Sequence, residues 1–196
     1  MARRSGAKAV TRLPRTIRLD PSDRHIFAPA AEPGEWAVPG TFLFWDRPAD
    51  SLSRKEAIAF RSGFLGVESF GHSTLVTVQD ARPDERAAMV ALLAARLVAH
   101  LGAPSIDIAR PAAEQEVALA ESLCAGHAIG TLIALHRRRG EDGEIREQFR
   151  TLRPRDETAF SATHLMGHDR AFQFFEEEVE VDVEDHVDLL QLRGQD

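Results

Sequence analysis

A β-hairpin is the clearest element that the pattern of apolar and polar positions predicts. Residues 131–135 are apolar on both faces, which is typical of a central strand. Residues 140–143 carry the glycines and acidic residues of a tight turn, and residues 144–152 return with a period of two. Because Arg146 and Arg150 fall on the polar side of this alternation, the returning strand is expected to have one solvated face.

The remaining strands are shorter or lie at the two ends of the chain. Residues 178–184 alternate Glu or Asp with Val, which predicts a further strand with an acidic outer face. Residues 16–45 are broken by turn signals into short extended segments. The other extended segments are expected at 17–19, 25–27, 36–38, 41–45 and 72–79.

Three helices are predicted, at 53–66, 82–102 and 111–126. Ser53 and Glu56 have the spacing of a capping box, in which each side chain accepts from a backbone N–H at the helix start. Pro83 suits the first position of the second helix because its missing N–H would have no partner there. We expect the first helix to end at Gly66 and the third to begin at Pro111.

The order of these elements predicts an α+β fold, with a mainly antiparallel sheet and about three helices packed on one face. We expect a disordered basic head (1–14), a single α+β domain (15–155) and an acidic C-terminal extension (156–196) with one strand. The 196 residues, 43% of them hydrophobic, are enough for one such domain.

Charge is distributed unevenly and excludes several classes of protein. Residues 1–19 carry six Arg or Lys and no acidic residue, whereas residues 176–188 carry eight acidic residues and no Arg or Lys. The formal net charge of -7 argues against a general nucleic-acid binder. No apolar run is long enough to span a membrane, and the head lacks the apolar core of a secretory signal, so we expect a cytoplasmic protein. The alternative for residues 1–15 is an organellar transit peptide, since such peptides are also rich in Arg and poor in acidic residues.

The sequence contains none of the common catalytic or nucleotide-binding motifs. The arginines of the returning strand are the main candidates for a binding site. Arg146, Arg150 and Arg153 form a candidate anion-binding set, because guanidinium groups bind phosphate and carboxylate in a bidentate manner. The alternative is that these arginines pair with the acidic strand of the same chain as a cross-strand charge ladder. The charge ladder is the favoured interpretation.

The acidic strand has three interpretations of its own: a solvated edge, a docking strand for a basic partner, or a divalent-cation site. A solvated edge is the default, because charge on an edge strand discourages aggregation. The candidate docking residues are Glu178, Glu180, Asp182 and Glu184. A cation site is disfavoured, since a single strand points its carboxylates in one direction.

Cysteine and histidine offer two weaker candidates. Cys124 and His127 have the spacing of a thiolate–imidazole or metal-binding pair, yet Cys124 lies on the apolar side of its helix and favours a core role. His164, His168 and Asp169 could chelate a metal for hydrolysis if they lay on a helix, but Gly167 and the polar surroundings favour a loop. We therefore predict no catalytic residue, no metal site and no cofactor.

Several segments resemble a small bacterial family of unknown function. They are RTIRLDPSD (15–23), AEPGEWAV (31–38), FRSGFLG (60–66), GTLIA (130–134) and FRTLRP (149–154). The resemblance covers residues 15–155 and carries over no catalytic residue. Genes of the family lie near those for formate dehydrogenase and other molybdoenzyme accessory proteins, beside a lipoate-ligase-like protein. The resemblance therefore implies a pathway rather than a chemistry.

The leading hypothesis is a non-catalytic cytoplasmic accessory or interaction protein, which has a protein partner and helps to assemble or regulate a molybdenum redox enzyme such as formate dehydrogenase. It predicts binding to neither nucleic acid nor membrane. The first alternative is a small-anion-binding domain or enzyme with an arginine-lined pocket. The second is a metal-dependent hydrolase.

Overall fold

The computed structural model describes residues 10–154 and 174–179. The strands are β1 (Thr11–Ile17), β2 (Ala37–Val38), β3 (Phe64–Gly66), β4 (His72–Ser73), β5 (Leu75–Ala81), β6 (Leu132–Arg139), β7 (Ile145–Pro154) and β8 (Phe174–Val179). The α-helices are α1 (Ser22–Ile26), α2 (Arg54–Ser62), α3 (Pro83–Leu101) and α4 (Ile106–Cys124). Two 3₁₀ turns lie at Thr41–Phe44 and Ala49–Ser51.

The strands form two antiparallel sheets, which confirms the α+β class. The larger sheet has the order β1-β5-β6-β7-β8, and the smaller one the order β2-β3-β4. The two sheets meet through β1: the Thr16 N–H donates to the Glu35 carbonyl over 2.9 Å, and Arg15 forms a bridge with Trp36. As the apolar run 131–135 predicts, β6 lies in the middle of the larger sheet.

The hairpin formed by β6 and β7 is confirmed. Its turn is closed by the Gly140 N–H, which donates to the Glu144 carbonyl over 2.8 Å. Gly143 has a φ of +87°, a conformation that favours glycine over any residue with a Cβ. The turn therefore fixes the register in which β6 and β7 pair.

The boundaries of the larger sheet extend past the predicted domain. β1 begins at Thr11, within the segment assigned to the basic head, and β8 lies within the acidic extension. Both strands belong to the larger sheet.

Helix α2 has the predicted capping box but ends earlier than expected. The Ser53 hydroxyl accepts from the Glu56 N–H, and the Glu56 carboxylate accepts from the Ser53 N–H. The helix ends at Ser62, and Gly66 belongs to strand β3 instead. Gly63 follows the helix in an extended conformation, and a Cβ there would lie 2.8 Å from the Ala59 carbonyl oxygen and 2.9 Å from the ring of His72, so the position requires glycine.

The two long helices pack against each other, and α4 also packs on β1. The start of α4 corrects a prediction. Helix α3 begins at Pro83 as predicted. Helix α4 begins at Ile106, not at Pro111, because the Ser105 hydroxyl accepts from the Ile108 N–H and caps the helix one turn earlier. Pro111 therefore lies inside the helix, and the buried apolar face of α4 offsets the backbone hydrogen bond that it lacks.

Two segments expected to be extended are helical. Ser22–Ile26 forms the single turn α1, which buries Asp23 so that its carboxylate accepts from the Thr74 hydroxyl over 2.9 Å. Thr41–Phe44 forms a 3₁₀ turn that follows Gly40, whose φ of +75° reverses the chain. Tertiary contacts of Asp23 and the backbone of Gly40 override the local strand pattern in these two places.

Candidate functional site

The register of the hairpin separates its side chains into a buried face and an exposed face. On β6, Leu135 and Arg137 are buried, whereas His136 and Arg138 are exposed. Arg137 lies directly opposite Glu147 on the buried face. Both faces of the hairpin therefore carry arginine, buried on one face and exposed to solvent on the other.

Arg137 is among the largest fully buried side chains of the protein, and protein oxygens surround its guanidinium. Its Nε donates to Glu147 Oε1 and to the Thr41 hydroxyl, both over 2.8 Å. Its Nη1 donates to the Gly63 carbonyl over 3.0 Å, and its Nη2 donates to the Pro39 carbonyl. Since all three nitrogens have acceptors within the fold, this arginine joins β6 to the end of α2 and to the loop before the 3₁₀ turn.

Glu147 supplies the matching negative charge inside the protein. Its side chain is only 8% exposed, and the Thr41 hydroxyl donates to the carboxylate oxygen that Arg137 contacts. Burial lowers the pKa of the Arg137 guanidinium, and the charge of Glu147 opposes that shift. Loss of either partner would leave a buried charge without its counter-ion, which is strongly destabilising.

A second buried carboxyl, Glu116 of α4, lies close to this pair. Its Oε1 accepts from the Gly40 N–H over 2.8 Å. Burial raises the pKa of Glu116 to about 7, the Gly40 hydrogen bond opposes the shift, and the negative charge of Glu147 adds to it. The cluster therefore contains one guanidinium and two carboxyl groups, one of which titrates near neutral pH.

His72 is the fourth ionisable group of the buried cluster. Its ring packs beside Phe27 and Phe44, with ring centroids 5.8 and 6.2 Å away. Burial lowers the pKa of His72 to about 4, and the positive charge of Arg137 adds to the shift. The imidazole is therefore neutral at physiological pH.

The Arg137–Glu147 pair was not among the predicted site residues, although the alternation of β6 and β7 contains a signal for it. Arg137 is in phase with the apolar Ile133 and Leu135, and Glu147 is in phase with Phe149. Nothing in the local sequence marks Glu116 or His72, because their burial depends on the packing of α4 and β4.

The exposed face of the hairpin carries a second set of basic residues. We call His136, Arg138, Arg146 and Arg150 the hairpin basic face, because they share the polar side of β6 and β7. Arg138 lies directly opposite Arg146, and both are exposed. Arg146 pairs with Asp142 of the turn over 2.9 Å. Within the part of the chain that the structure describes, Arg138 has no hydrogen-bond or ion-pair partner.

The candidate anion-binding residues occupy successive places along β7. Arg146 lies near the turn, and Arg150 lies farther along on the same face. Arg153 lies opposite Phe175 in the backbone register, and its side chain is outside the described residues. The structure thus places these arginines along one strand of an antiparallel sheet.

The acidic candidates are described only in part. Glu178 belongs to β8 and lies directly opposite Arg150 in the backbone register, and its side chain is outside the described residues. The other acidic candidates, Glu180, Asp182 and Glu184, lie outside the described residues. The histidine and aspartate candidates His164, His168 and Asp169 also lie outside them.

Cys124 is buried in the core. Burial raises the pKa of its thiol to about 12, so the thiolate needed for nucleophilic or metal chemistry is not formed at neutral pH. In the described part of the chain, no three His, Cys, Asp or Glu residues are grouped so that they could hold a metal ion.

No single helix in the described part of the chain has both the length and the apolarity of a membrane span. Helices α3 and α4, which meet at 116°, satisfy both requirements only as a bent pair and only by length and composition.

Comparisons with known proteins identify a family and no closer relative. A family model described as "Family of unknown function (DUF6505)" matches residues 11–169. No curated protein and no solved structure matches the chain. The matched range contains both long helices and the whole β6–β7 hairpin. The chain therefore belongs to DUF6505, a family of unknown function.

Proposed function

We propose that this protein is a non-catalytic cytoplasmic interaction protein and that the hairpin basic face is its docking surface for an acidic protein partner. The partner class follows from the resemblance: a molybdenum redox enzyme such as formate dehydrogenase, or a factor that helps to assemble it. The protein would assist assembly or regulation by binding and would perform no chemistry of its own.

One observation carries the proposal: Arg138 and Arg146 lie directly opposite each other on an exposed sheet face. Like charges in this position destabilise a sheet. The Asp142 ion pair offsets the charge of Arg146 weakly, since exposed ion pairs contribute about 0–1 kcal/mol. A partner carboxylate that contacts both guanidinium groups would remove the repulsion between them. Relief of this repulsion favours binding of an acidic surface to this face.

The buried side of the hairpin favours the same function. Arg137 lies between the exposed His136 and Arg138 in the sequence, and its hydrogen bonds to Gly63 and Pro39 anchor β6 from beneath. The exposed guanidinium groups therefore project from strands whose register is fixed. A rigid surface loses little conformational entropy when it binds a partner.

A comparison of two charge-reversal variants tests the proposal. Tagged wild-type protein, Arg138→Glu/Arg146→Glu and the control Arg54→Glu/Arg110→Glu are incubated with native lysate, and captured proteins are quantified by mass spectrometry. Both variants change the net charge equally, and the control residues are exposed on α2 and α4. We expect the wild type and the control to capture the same molybdoenzyme or assembly factor, and the hairpin variant to lose it.

Equal capture of that protein by both variants would show that the hairpin basic face is not the docking surface. Titration of each purified protein with phosphate and with formate tests the small-anion alternative: saturable binding that requires Arg146 and Arg150 would favour an anion site over a protein-docking site.

A further inference from the structure

A short segment, residues 39–45, is held against the fold by the buried ionisable cluster. It follows β2 and contains the first 3₁₀ turn. Three consecutive residues of the segment hydrogen-bond to members of the cluster: Pro39 to Arg137, Gly40 to Glu116 over 2.8 Å, and Thr41 to both Arg137 and Glu147. The charged groups of the cluster therefore fix the position of this segment.

The 39–45 segment also covers the apolar core. Phe42 is only 9% exposed and packs in the core cluster that contains α3 and α4, and Phe44 is 3% exposed and packs with Phe27. Among the described residues, the hydrogen bonds that join the segment to neighbouring elements all involve a side chain of the cluster or Arg139, which donates to the Phe44 carbonyl over 3.0 Å. A segment held by a few side chains rather than by a backbone ladder can open without unfolding the rest of the domain.

The cluster is electrically balanced when one of its two carboxyl groups is protonated. Arg137 supplies one positive charge, and Glu147 contacts it directly over 2.8 Å. Ionisation of Glu116 places a second negative charge in the same buried space, where Glu147 repels it. Burial raises the pKa of Glu116 to about 7, so this second charge forms near neutral pH.

The other elements that pack on α4 direct their charged groups elsewhere. Helix α3 faces α4 with apolar side chains, and its Arg86 contacts Glu114 and Glu121 of α4. The two residues of β2 are apolar. The arginines of β1 have partners of their own: Arg12 contacts the His127 carbonyl and Asp80, and Arg15 contacts the Gly34 carbonyl and Glu85. His72 of β4 is neutral at physiological pH, so Arg137 and Glu147 are the charges that act on Glu116.

We propose that the 39–45 segment is a proton-controlled strap, which stays closed over the core while Glu116 is protonated and shifts toward an open form when Glu116 ionises. Opening admits water to the carboxylate and removes the penalty for a second buried negative charge. The Gly40 hydrogen bond opposes this effect, but burial has the larger influence on Glu116. Because opening releases a proton, it becomes more favourable as the pH rises from 4.5 to about 7 and changes no further above that range.

Amide hydrogen exchange, followed residue by residue by NMR, tests the strap from pH 5.5 to 7.5. Full-length wild type is compared with Glu116→Gln, in which the side chain keeps its shape and an oxygen that accepts from Gly40 but cannot ionise. Both proteins are measured at the same pH, so intrinsic exchange rates and the titration of His72 are common to them. The matched control Glu114→Gln makes the same substitution on the same helix, at a carboxyl group that contacts Arg86 and not the segment.

The readout is the opening constant of the Gly40 and Leu43 amides. The ratio of wild type to Glu116→Gln should rise about twentyfold from pH 5.5 to 7.5, given a pKa of about 7 in the closed form and 4.5 in the open form. Low concentrations of urea should speed exchange in the core of α3 and leave these two amides unchanged, because a local opening exposes little surface.

Three results would overturn the proposal: a ratio that does not change with pH, an equal rise with Glu114→Gln, or exchange of the segment only through the urea-sensitive unfolding that α3 reports. The variant His72→Phe supplies a second test with Glu116 in place. Because the low pKa of the buried imidazole gives the opposite pH dependence, its removal should let the opening constant itself rise about twentyfold over the same range. No rise in this variant would also overturn the proposal.

The strap goes beyond the proposed docking function and does not depend on it. Hydrogen exchange is measured on the protein alone, whereas capture from lysate reports on the partner, so either proposal can fail without the other.

Discussion

The buried carboxyl group of Glu116 gives the protein a pH-dependent stability that Glu116→Gln should remove. The pKa of Glu116 is about 7 in the folded protein, compared with 4.5 as the ordinary value of the side chain. A carboxyl whose pKa is raised on folding stabilises the folded state fully below pH 4.5, and this contribution is lost as the pH rises through about 7. The total contribution is about 3 kcal/mol at 1.36 kcal/mol per pKa unit.

His72 produces the opposite dependence in an overlapping range. Its pKa is about 4 in the folded protein and 6.5 ordinarily, so its contribution is fully present above pH 6.5 and is lost as the pH falls through about 4. Between pH 4.5 and 6.5 the two groups change the free energy of unfolding in opposite directions, by about 1.4 kcal/mol per pH unit each. Their effects therefore nearly cancel in the wild type.

The assay is urea unfolding followed by tryptophan fluorescence at four pH values from 4.5 to 7.5. Trp36 is buried and Trp45 is half-buried, so both report on loss of the core. The free energy of unfolding of the wild type minus that of Glu116→Gln should fall by about 3 kcal/mol as the pH rises through this range, because the other carboxyl groups are common to both proteins. The control Glu68→Gln makes the same substitution at an exposed position.

The reasoning would be refuted if the difference in the free energy of unfolding between the wild type and Glu116→Gln changed by less than about 1 kcal/mol from pH 4.5 to 7.5. Such a result would mean that Glu116 keeps an ordinary pKa in the folded protein. The double variant Glu116→Gln/His72→Phe should remove both contributions and leave a pH profile similar in slope to that of the wild type between pH 4.5 and 6.5.

Three further predictions concern single residues. Arg137→Leu should lower the free energy of unfolding, measured with urea, by about 3–5 kcal/mol, because it leaves the buried charge of Glu147 without a counter-ion. The double variant Arg137→Leu/Glu147→Leu should recover part of this loss. Equal stability of the single and double variants would contradict the pairing. In thermal melts, Gly40→Ala should destabilise the protein by more than about 1 kcal/mol, because Gly40 has a φ of +75° and a Cβ there would lie 2.6 Å from Leu65 Cβ. The matched variant Gly102→Ala should lower stability less, because Gly102 has a similar φ of +72° but open space around it. Cys124 should react with a thiol reagent at pH 7.5 only after unfolding, because its pKa is about 12; stoichiometric labelling of the native protein within minutes would refute its burial.

The elements that local sequence determines were predicted well. The β6–β7 hairpin, the capping box at Ser53 and the proline start of α3 each depend on residues within a few positions of one another. The start of α4 was wrong because Pro111 is a strong local signal, yet the Ser105 cap and the packing of the helix outweigh it.

The candidate site was predictable only on its exposed side. The polar phase of β7 assigns Arg146 and Arg150 to one solvated face, and the structure has Glu178 opposite Arg150 in the register. The buried cluster depends on contacts between residues far apart in the chain, such as Glu116 with Gly40. Such contacts leave no periodic signal in a single sequence, although the apolar phase of β6 does mark Arg137.

The most direct test of the proposed docking surface is the affinity of the captured partner for the purified variants at two salt concentrations. The proposal predicts that Arg138→Glu/Arg146→Glu weakens binding at least about tenfold, that Arg54→Glu/Arg110→Glu changes it little, and that added salt weakens wild-type binding. Equal affinity of the two charge-reversal variants for the partner, or wild-type binding that does not change with salt, would contradict the hairpin basic face as the docking surface.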